Sequence, residues 1–479
     1  MSTLRTPADF EESLRNLRST VYINGKKVDN LVTEPLLRPG INAIKLTYRY
    51  AQDPKYSQLM TVESQLTGGK INRLLSLHKT PEDVLKKLEM VRILCREAGC
   101  AQRYLVQDAL NALAIVTHEI DAKNGTDYSS RFTRRLAEFQ KKDISAAVCM
   151  TDAKGDRSKR PHEQADPDAY VRIAEKRSDG IIISGAKANI TGAPYCEELI
   201  VLPTRNMVEA DAQYAVACAV PADTPGIKII SRPAGRSFED APHSGVYGQS
   251  TALVVFDEVF VPLNRVFLAG EWEQAGSMTE AFANQHRQSC IGCRAGLGDM
   301  IIGATASISE YNGLDPLKVD HIREKLSELI RIVEGFYACG VTASVLAKRS
   351  SSGVYYPDPV YTNIGKLFLG LRIYDMFKIA HEIAGGGVVT VPSEAAEKSS
   401  ETRHYIEKYL RARADVPADI RAKMFRFIED ITGSNIGGWF SLISLHGGGS
   451  PEAEKIEIIR KYNLEEKKSL ARRLAGITD

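Results

Sequence analysis

The amino-acid sequence predicts an α+β chain in three parts: a helical region, a central β region and a second helical region. Three observations carry this reading. A capped run of apolar residues at helical spacing begins at Thr80, short β-branched runs fill about 145–265, and long amphipathic patterns return after Glu271. The divisions fall at residues 1–144, 145–272 and 273–479.

In the first part, Thr80-Pro81-Glu82-Asp83 combines an N-cap, a proline for the first helical turn and early acids. Leu85, Leu88, Val91 and Leu94 follow, and the pattern predicts one long helix to about Asp121. In the central part, Gly180–Ser184, Glu198–Leu202, Tyr214–Cys218 and Ala252–Phe256 read as strands, separated by Gly, Pro and Asp. In the third part helices are expected over Leu317–Lys348, Asn363–Ile383 and Pro451–Leu474, the last capped by Ser450. Gly385-Gly386-Gly387 follows an apolar helix, and Gly447-Gly448-Gly449 precedes the last one. Such turns either end a helix or let bare backbone approach a phosphate.

At 479 residues the chain has room for roughly two to four domains. Hydrophobic residues at 43% and charged residues at 25% are ordinary globular usage and allow a large core. Lys and Arg number 62 against 60 for Asp and Glu, a net charge of +2, which argues against nucleic acid or an anionic membrane as the main partner. The start, MSTLRTPADFEESL, has acids where an export signal is apolar, and no stretch reaches the ~18 apolar residues of a membrane span. The cytoplasm is the expected compartment. Eight cysteines, at 95, 100, 149, 196, 218, 290, 293 and 339, are too sparse for a disulfide framework.

The densest reactive cluster is His286-Arg287-Gln288-Ser289-Cys290-Ile291-Gly292-Cys293. At about 100° per residue His286, Cys290 and Cys293 share one helix face, suited to a metal. Cys100 and Tyr104, four apart, form a second face, with Cys95 on another side. If the two helices meet, Cys100, His286, Cys290 and Cys293 make a three-sulfur, one-nitrogen set of the kind that takes zinc or an iron–sulfur cluster. Equally, such cysteines serve as small buried apolar residues, or Cys290 and Cys293 form a redox pair. Near Met150–Arg157 and Gly185–Thr191, Thr151, Lys187 and Thr191 are placed to donate to a polarised ring or phosphate, or simply to join strands. No GxGxxG, Walker loop, GxSxG or HExxH occurs.

Several of these runs together resemble a known family. They are Met150-Thr-Asp-Ala-Lys-Gly-Asp-Arg157, Glu175–Gly180 with Gly185–Ala188 and Thr191-Gly192, His286–Ser289 with Gly292-Cys293, Ile383–Gly386 with Pro392–Glu394, and His446-Gly447 with Gly449–Pro451. They resemble the 4-hydroxybutyryl-CoA dehydratase family and, more loosely, the wider 4-hydroxyphenylacetate 3-hydroxylase family, in order from about Phe10 to Ile477. The resemblance implies an acyl-CoA dehydrogenase-like fold with an N-terminal helical domain, a middle β-barrel domain and a C-terminal helical bundle. It also implies FAD between the β domain and the bundle, and a homotetramer in which a second subunit completes the site. Met150, Thr151, Lys187 and Thr191 match flavin-side positions, and Gly385, Gly386 and Gly387 resemble a phosphate-side loop.

The dehydratase resemblance further implies a [4Fe-4S] cluster on three Cys and one His. Cys100, His286 and Cys293 match three of those ligands; Tyr104 stands at the fourth, and Cys290 stands where the family has an active-site tyrosine. The expected set here is Cys100, His286, Cys290 and Cys293, with the sulfur lost at 104 restored from the opposite helix. Two family glutamates are replaced by Thr251 and Ile443, and a lysine by Arg294, which keeps the positive charge.

The leading function implied is a flavin and iron–sulfur lyase or isomerase acting on a short-chain acyl-CoA by flavin radical chemistry. His286 would be ligand and base, Tyr104 a proton donor, Thr191 a partner to flavin or substrate. The alternative is a two-component monooxygenase that hydroxylates a phenol, with Arg103 and Tyr104 on the phenolate and a separate flavin reductase as partner. Asp152 stands where that branch carries a histidine. A third class, a catalytically silent or zinc-stabilised binding protein, follows from the missing glutamates.

Overall fold

Thr80 caps its helix as expected: its hydroxyl accepts from Asp83 N at 3.2 Å while the Asp83 carboxylate accepts from Thr80 N at 3.0 Å. The computed structural model describes residues 4–235 and 240–477. The first part holds α1 (Pro7–Asn16), β1 (Val21–Ile23), β2 (Lys26–Lys27), α2 (Arg38–Gln52) and α3 (Ser57–Met60). It continues with β3 (Thr61–Ser64), β4 (Gly69–Asn72), α4 (Pro81–Ala98), α5 (Tyr104–Asn124) and α6 (Tyr128–Lys142). The central part holds β5 (Ala146–Cys149), β6 (Arg172–Lys176), β7 (Gly180–Thr191), β8 (Glu198–Val201), β9 (Val216–Pro221), β10 (Ile227–Ser231), β11 (Thr251–Pro262) and β12 (Val266–Ala269). The third holds α7 (Ala275–Tyr311), α8 (Asp320–Val345), the small β13–β14 hairpin (Lys348–Arg349 and Tyr355–Tyr356) and α9 (Pro359–Ala384). Its remaining helices are α10 (Gly387–Thr390), α11 (Glu394–Lys398), α12 (Arg403–Tyr409), α13 (Ala418–Thr432), α14 (Asn435–His446), α15 (Pro451–Lys461) and α16 (Leu464–Leu474).

The architecture is acyl-CoA dehydrogenase-like, with the sheets between two helical regions. The β-barrel expectation is corrected: the strands form two open sheets, a six-stranded one in the order β2-β1-β10-β11-β7-β6 and a four-stranded one in the order β12-β9-β8-β5. The long antiparallel β7–β11 pair carries two register shifts, near Ala252–Val254 and Phe256–Val259, which bend it. The β1–β2 hairpin comes from the first part of the chain, and β1 pairs in parallel with β10, Val21 opposite Ile229.

Two helices expected to be continuous are broken. The helix from Thr80 ends at Ala98, where Gly99 adopts φ +64° and turns the chain through a corner before α5. A Cβ at 99 would stand 2.4 Å from the Phe440 ring, so both the backbone and the space require glycine. Gly99→Ala is expected to cost about 1–3 kcal/mol from backbone strain alone; urea unfolding beside wild type measures it. The last predicted helix, Pro451–Leu474, divides at Tyr462 and Asn463 into α15 and α16. Ser450 does cap α15, accepting from Ala453 N.

One apolar core binds α1, α2, α5 and α6 to the sheets, and another fills the bundle of α4, α7, α8, α9, α13 and α14. Because α4 packs into this second core, a first-part helix lies directly against α7. Gly292 and Gly296 of α7 permit the close approach: a Cβ on either would meet backbone of α4, at Leu88 O or Arg92 O, within 2.7 Å. From Phe282 to Gly298 every residue of α7 is buried, polar ones included. No helix among the described residues is long and apolar enough to cross a membrane.

Candidate active site

The polar stretch of α7 is where the reactive residues gather. Facing it are the corner between α4 and α5, the start of α5, and the Gly447–Gly449 loop, whose Gly448 lies against His286 and Arg287. The end of β7 abuts the corner through Gly192 and Gln102. Ahead of β11, the Gln249 amide donates to Cys100 O.

His286 is the centre of a chain of polar contacts. Its Nδ1 donates to Asp108 Oδ2 at 3.1 Å, and its Nε2 lies 3.6 Å from Cys290 Sγ. Asp108 is fully buried; its Oδ1 also accepts from Ser289 Oγ at 2.8 Å and pairs with Lys87 Nζ at 2.6 Å. Lys87 is itself fully buried and donates to Gln285 O at 2.8 Å. Burial pulls the imidazole down, but the Cys290 sulfur and the Asp108 carboxylate outweigh it and raise His286 to about 10. Asp108 falls below the usual carboxylate range, since Lys87 and His286 overcome its burial. The result is a thiol, an imidazole and a carboxylate in line, braced from behind by an ammonium.

Tyr104 stands beside this line. Its hydroxyl is 3.5 Å from Cys100 Sγ, and its ring stacks with His286 at 6.3 Å between centroids, while Phe282 covers His286 at 5.5 Å. Cys293 Sγ accepts from Arg294 Nη1 at 3.3 Å. Burial pushes the Cys293 thiol up, but hydrogen bonds from Cys100 and Cys95 and the Arg294 charge bring it well below the usual range. Arg294 is buried, its guanidinium held by that sulfur, by Gly99 O at 3.5 Å and by the rings of Trp439 and Phe440.

Other expected residues are spent on structure. The Lys187 ammonium, expected at a flavin, pairs with Asp152 at 2.8 Å and donates to Met150 O and Leu202 O, pinning β7 to its neighbours. Arg103, expected on a phenolate, is fully buried against Asp143, with Tyr48 under its guanidinium. Met150, Thr151 and Thr191 remain half-buried at strand ends, Thr191 opposite Thr251. Gly386 and Gly387 line a cavity of about 290 Å³ with Thr390, Leu410, Arg421 and Phe425; this cavity shares no lining residue with the His286 cluster. Gly385, with nothing within 4 Å of where its Cβ would lie, leads into that turn.

Sequence reasoning missed Asp108 and Lys87, and gave no role to Ser289 or Cys95. Asp108 had a signal, being four residues beyond Tyr104 on one helix face. Lys87 had none. Nearby, His78 is fully buried with neither ring nitrogen hydrogen-bonded, and burial together with the Lys87 charge holds it neutral, down to about 3. Its folded pKa lies below the unfolded value of about 6.5, so its stabilisation is full above pH ~6.5 and is lost as pH falls toward 3, at up to about 1.4 kcal/mol per unit. Urea unfolding at steps from pH 7 to pH 4 is expected to show that slope, and His78→Leu to lessen it; an unchanged slope in the variant contradicts the assignment.

Two family descriptions match the chain: 4-hydroxyphenylacetate 3-hydroxylase N terminal over residues 6–268 and C terminal over 275–476. The chain belongs to the 4-hydroxyphenylacetate 3-hydroxylase family. Within this family it is 41% identical to a 4-hydroxybutyryl-CoA dehydratase/vinylacetyl-CoA-Δ-isomerase of Clostridium aminobutyricum, over 99% of this chain and 100% of that one. A solved oxygen-tolerant archaeal 4-hydroxybutyryl-CoA dehydratase from N. maritimus superposes with a TM-score of 0.96 at 37% identity, covering 99% of this chain and 96% of that one. The oxygenase component of 4-hydroxyphenylacetate 3-monooxygenase, solved with FAD, shares the fold with a TM-score of 0.89 at 24% identity, covering 98% of each chain. Relatives in this family are dehydratase/isomerase and monooxygenase enzymes, and this chain is an enzyme.

The iron–sulfur cluster that the dehydratase resemblance implies does not fit this donor set as it stands. Tyr104 is the reason. Its hydroxyl hydrogen-bonds Cys100 and its ring stacks beside His286, so the phenol occupies space between these two donors that a four-iron cube would need. Cys100 and Cys293 form one pair and His286 and Cys290 another, and among the described residues no three His, Cys, Asp or Glu side chains group to hold a metal ion.

Proposed function

We propose that this chain is a flavin-dependent lyase or isomerase acting on a short-chain acyl-CoA. The observation that carries the reading is the buried His286–Asp108 pair, an oriented acid–base group in a chain 41% identical end to end to a dehydratase/isomerase. FAD fits the residues present. Gln102 Oε1, Gln249 Oε1 and Ser250 Oγ are buried without hydrogen-bond partners near the half-buried Thr191, and the glycine turn is open at Gly385 and Gly386. When bound, FAD supplies a ring that takes up or returns electrons at the acyl chain.

The chain's own groups do the rest. The Asp108 carboxylate keeps the proton on His286 Nδ1, so Nε2 is the atom that exchanges protons with substrate or with Cys290. Tyr104 and Phe282 close over the imidazole and exclude water. The phenol-hydroxylating alternative, with its reductase partner, loses its phenolate anchor because Arg103 is committed to Asp143. Exposed Leu371, Tyr374, Leu442, Ile456 and Ile459 on α9, α14 and α15 support association with further copies, a homotetramer in this reading.

The test is spectroscopic. Full-length protein loaded with FAD is titrated with crotonyl-CoA, and a saturable change in the flavin spectrum is expected. A flavin that ignores the thioester, yet hydroxylates a phenol when a reductase and oxygen are added, overturns the proposal.

A further inference from the structure

We propose that Lys154, Arg157 and Arg205 form a binding site for the phosphate-bearing nucleotide end of the thioester, apart from the residues that face its acyl end. The site rests on the acyl-CoA reading above and gives that ligand a second point of attachment.

The first support is positive charge that the fold gathers and does not neutralise. Lys154 and Arg157 stand on the loop after β5 and Arg205 on the segment after β8, and among the described residues none of the three side chains makes a hydrogen bond or an ion pair. The nearby acids are committed elsewhere. Asp152 pairs with Lys187 and accepts from Val171 N at 2.9 Å, Asp156 accepts from Ser158 N at 3.0 Å and Ser158 Oγ at 2.7 Å, and Asp211 holds Arg160 and His162. Burial, with the charges of Arg157, Lys187 and Arg205, keeps the half-buried Lys154 ammonium below the usual lysine range despite the pull of Asp152. Like charges held together without a counterion are a standing cost, which a polyanion removes.

The second support is that the loop is held in shape. Ala153 N donates to Ala186 O at 3.1 Å and Lys154 N to Ala169 O at 2.8 Å, which ties the backbone to β7 and to the segment before β6. Gln164 closes the loop from the other side: its Oε1 accepts from Asp156 N at 2.9 Å and its Nε2 donates to Asp156 O at 2.7 Å. The cations are therefore presented from a fixed frame, which lowers the ordering cost of binding.

The third support is where the cluster lies. The segment that carries Arg205 is seated on the start of α7: Thr279 Oγ1 donates to Pro203 O at 3.2 Å, and a Cβ on Gly276 would stand 3.2 Å from Asn206 Cβ. Thr279, Phe282 and His286 follow at helical spacing, so one face of α7 runs from this segment to the imidazole. Seven positions separate Thr279 from His286 (286 − 279), about 10 Å along the helix. An extended pantetheine arm spans more than that, so an acyl group at His286 has its nucleotide within reach of the cluster, on the side where Arg157 is exposed.

The chemistry matches. Two guanidinium forks take phosphate oxygens in pairs, and an ammonium adds a point charge. Coenzyme A carries a 3′-phosphate besides its diphosphate, whereas FAD carries a diphosphate alone. The glycine turn Gly385–Gly387, which resembles a phosphate-side loop, already offers the flavin diphosphate a place.

The experiment uses the full chain loaded with FAD. Calorimetric titration with adenosine 3′,5′-bisphosphate, the nucleotide end alone, is expected to give saturable binding that weakens at least about 10-fold in the double variant Arg157→Gln with Arg205→Gln. Added salt is expected to weaken wild-type binding more steeply than that of the variant. Arg157→Gln alone, a change at an exposed side chain, is expected to fall between the two, and Lys123→Gln, which removes an exposed charge from α5, to bind as wild type does. FAD content and circular dichroism are expected to match throughout. The flavin spectrum then separates the two ends of the ligand: the double variant is expected to need at least about 10-fold more crotonyl-CoA for half of the change and to reach the same final spectrum, while crotonyl-pantetheine acts equally on both proteins. No bisphosphate binding by wild type, undiminished binding by the double variant, or an equal loss in Lys123→Gln overturns the proposal. So does loss of FAD from the double variant, which assigns the cluster to the cofactor diphosphate. Bisphosphate binding that the double variant loses, on a chain whose flavin ignores crotonyl-CoA, upholds the nucleotide site and defeats the acyl-CoA reading beneath it.

Discussion

Lys87→Met is expected to destabilise the protein by about 3–5 kcal/mol, because it strands Asp108 as a buried carboxylate without its ammonium. Both members of the pair are fully buried, 2.6 Å apart, so neither can turn to water when the other is removed. The remaining partners, Ser289 Oγ and His286 Nδ1, offer two hydrogen bonds but no compact countercharge at Oδ1. A double variant, Lys87→Met with Asp108→Leu, is expected to recover most of the loss, since two apolar side chains of suitable volume replace the pair together. Urea unfolding of the two single variants and the double one gives the coupling as a cycle. A single variant within about 0.5 kcal/mol of wild type would show that the pair is not the anchor described here.

Exchanging the two swapped side chains, Tyr104→Cys with Cys290→Tyr, is expected to turn the site into one that takes up iron. The phenol then leaves the space between Cys100, Cys293 and His286, and a thiol enters at 104, on the corner that already carries Cys100. After anaerobic reconstitution with ferrous iron and sulfide, uptake is expected to rise from near none to about four iron atoms per chain, with broad absorption near 400 nm. Tyr104→Cys alone opens the space but leaves Cys290 bound to the imidazole, so a smaller gain is expected. If the double variant takes up no more iron than wild type, the phenol is not what keeps a cluster out.

What could be read from the sequence was what is decided locally. Thr80 and Ser450 cap their helices because their hydroxyls reach amides three residues on, and the β-branched runs at 180, 198 and 252 became strands. The corner at Gly99 was hidden because apolar residues continue on both sides of it; groups distant in sequence fix the chain there, the Phe440 ring against Gly99 and Arg294 on its carbonyl. The two open sheets followed from pairings between distant strands, which no run of residues announces. At the site, the face formed by 286, 290 and 293 was legible from helical spacing. That His286 would be committed to Asp108, and Lys187 and Arg103 to structural ion pairs, depended on which charges burial would force together.

The hairpin β1–β2 sets a schedule for the newborn chain. Val21 leaves the ribosome well before its strand partner Ile229, which follows 208 positions later (229 − 21). At a synthesis rate of about 5–20 residues per second, β1 waits roughly 10–40 s with β2 on one side and its other edge open. The helices of the first part can gather around their own core meanwhile, but β1 gains its partner only when β10 has emerged, and joins the rest of the six-stranded sheet only after β11. A chain released before residue 231 therefore exposes an open strand edge, and a fragment cut there is the form most prone to pair with its own kind.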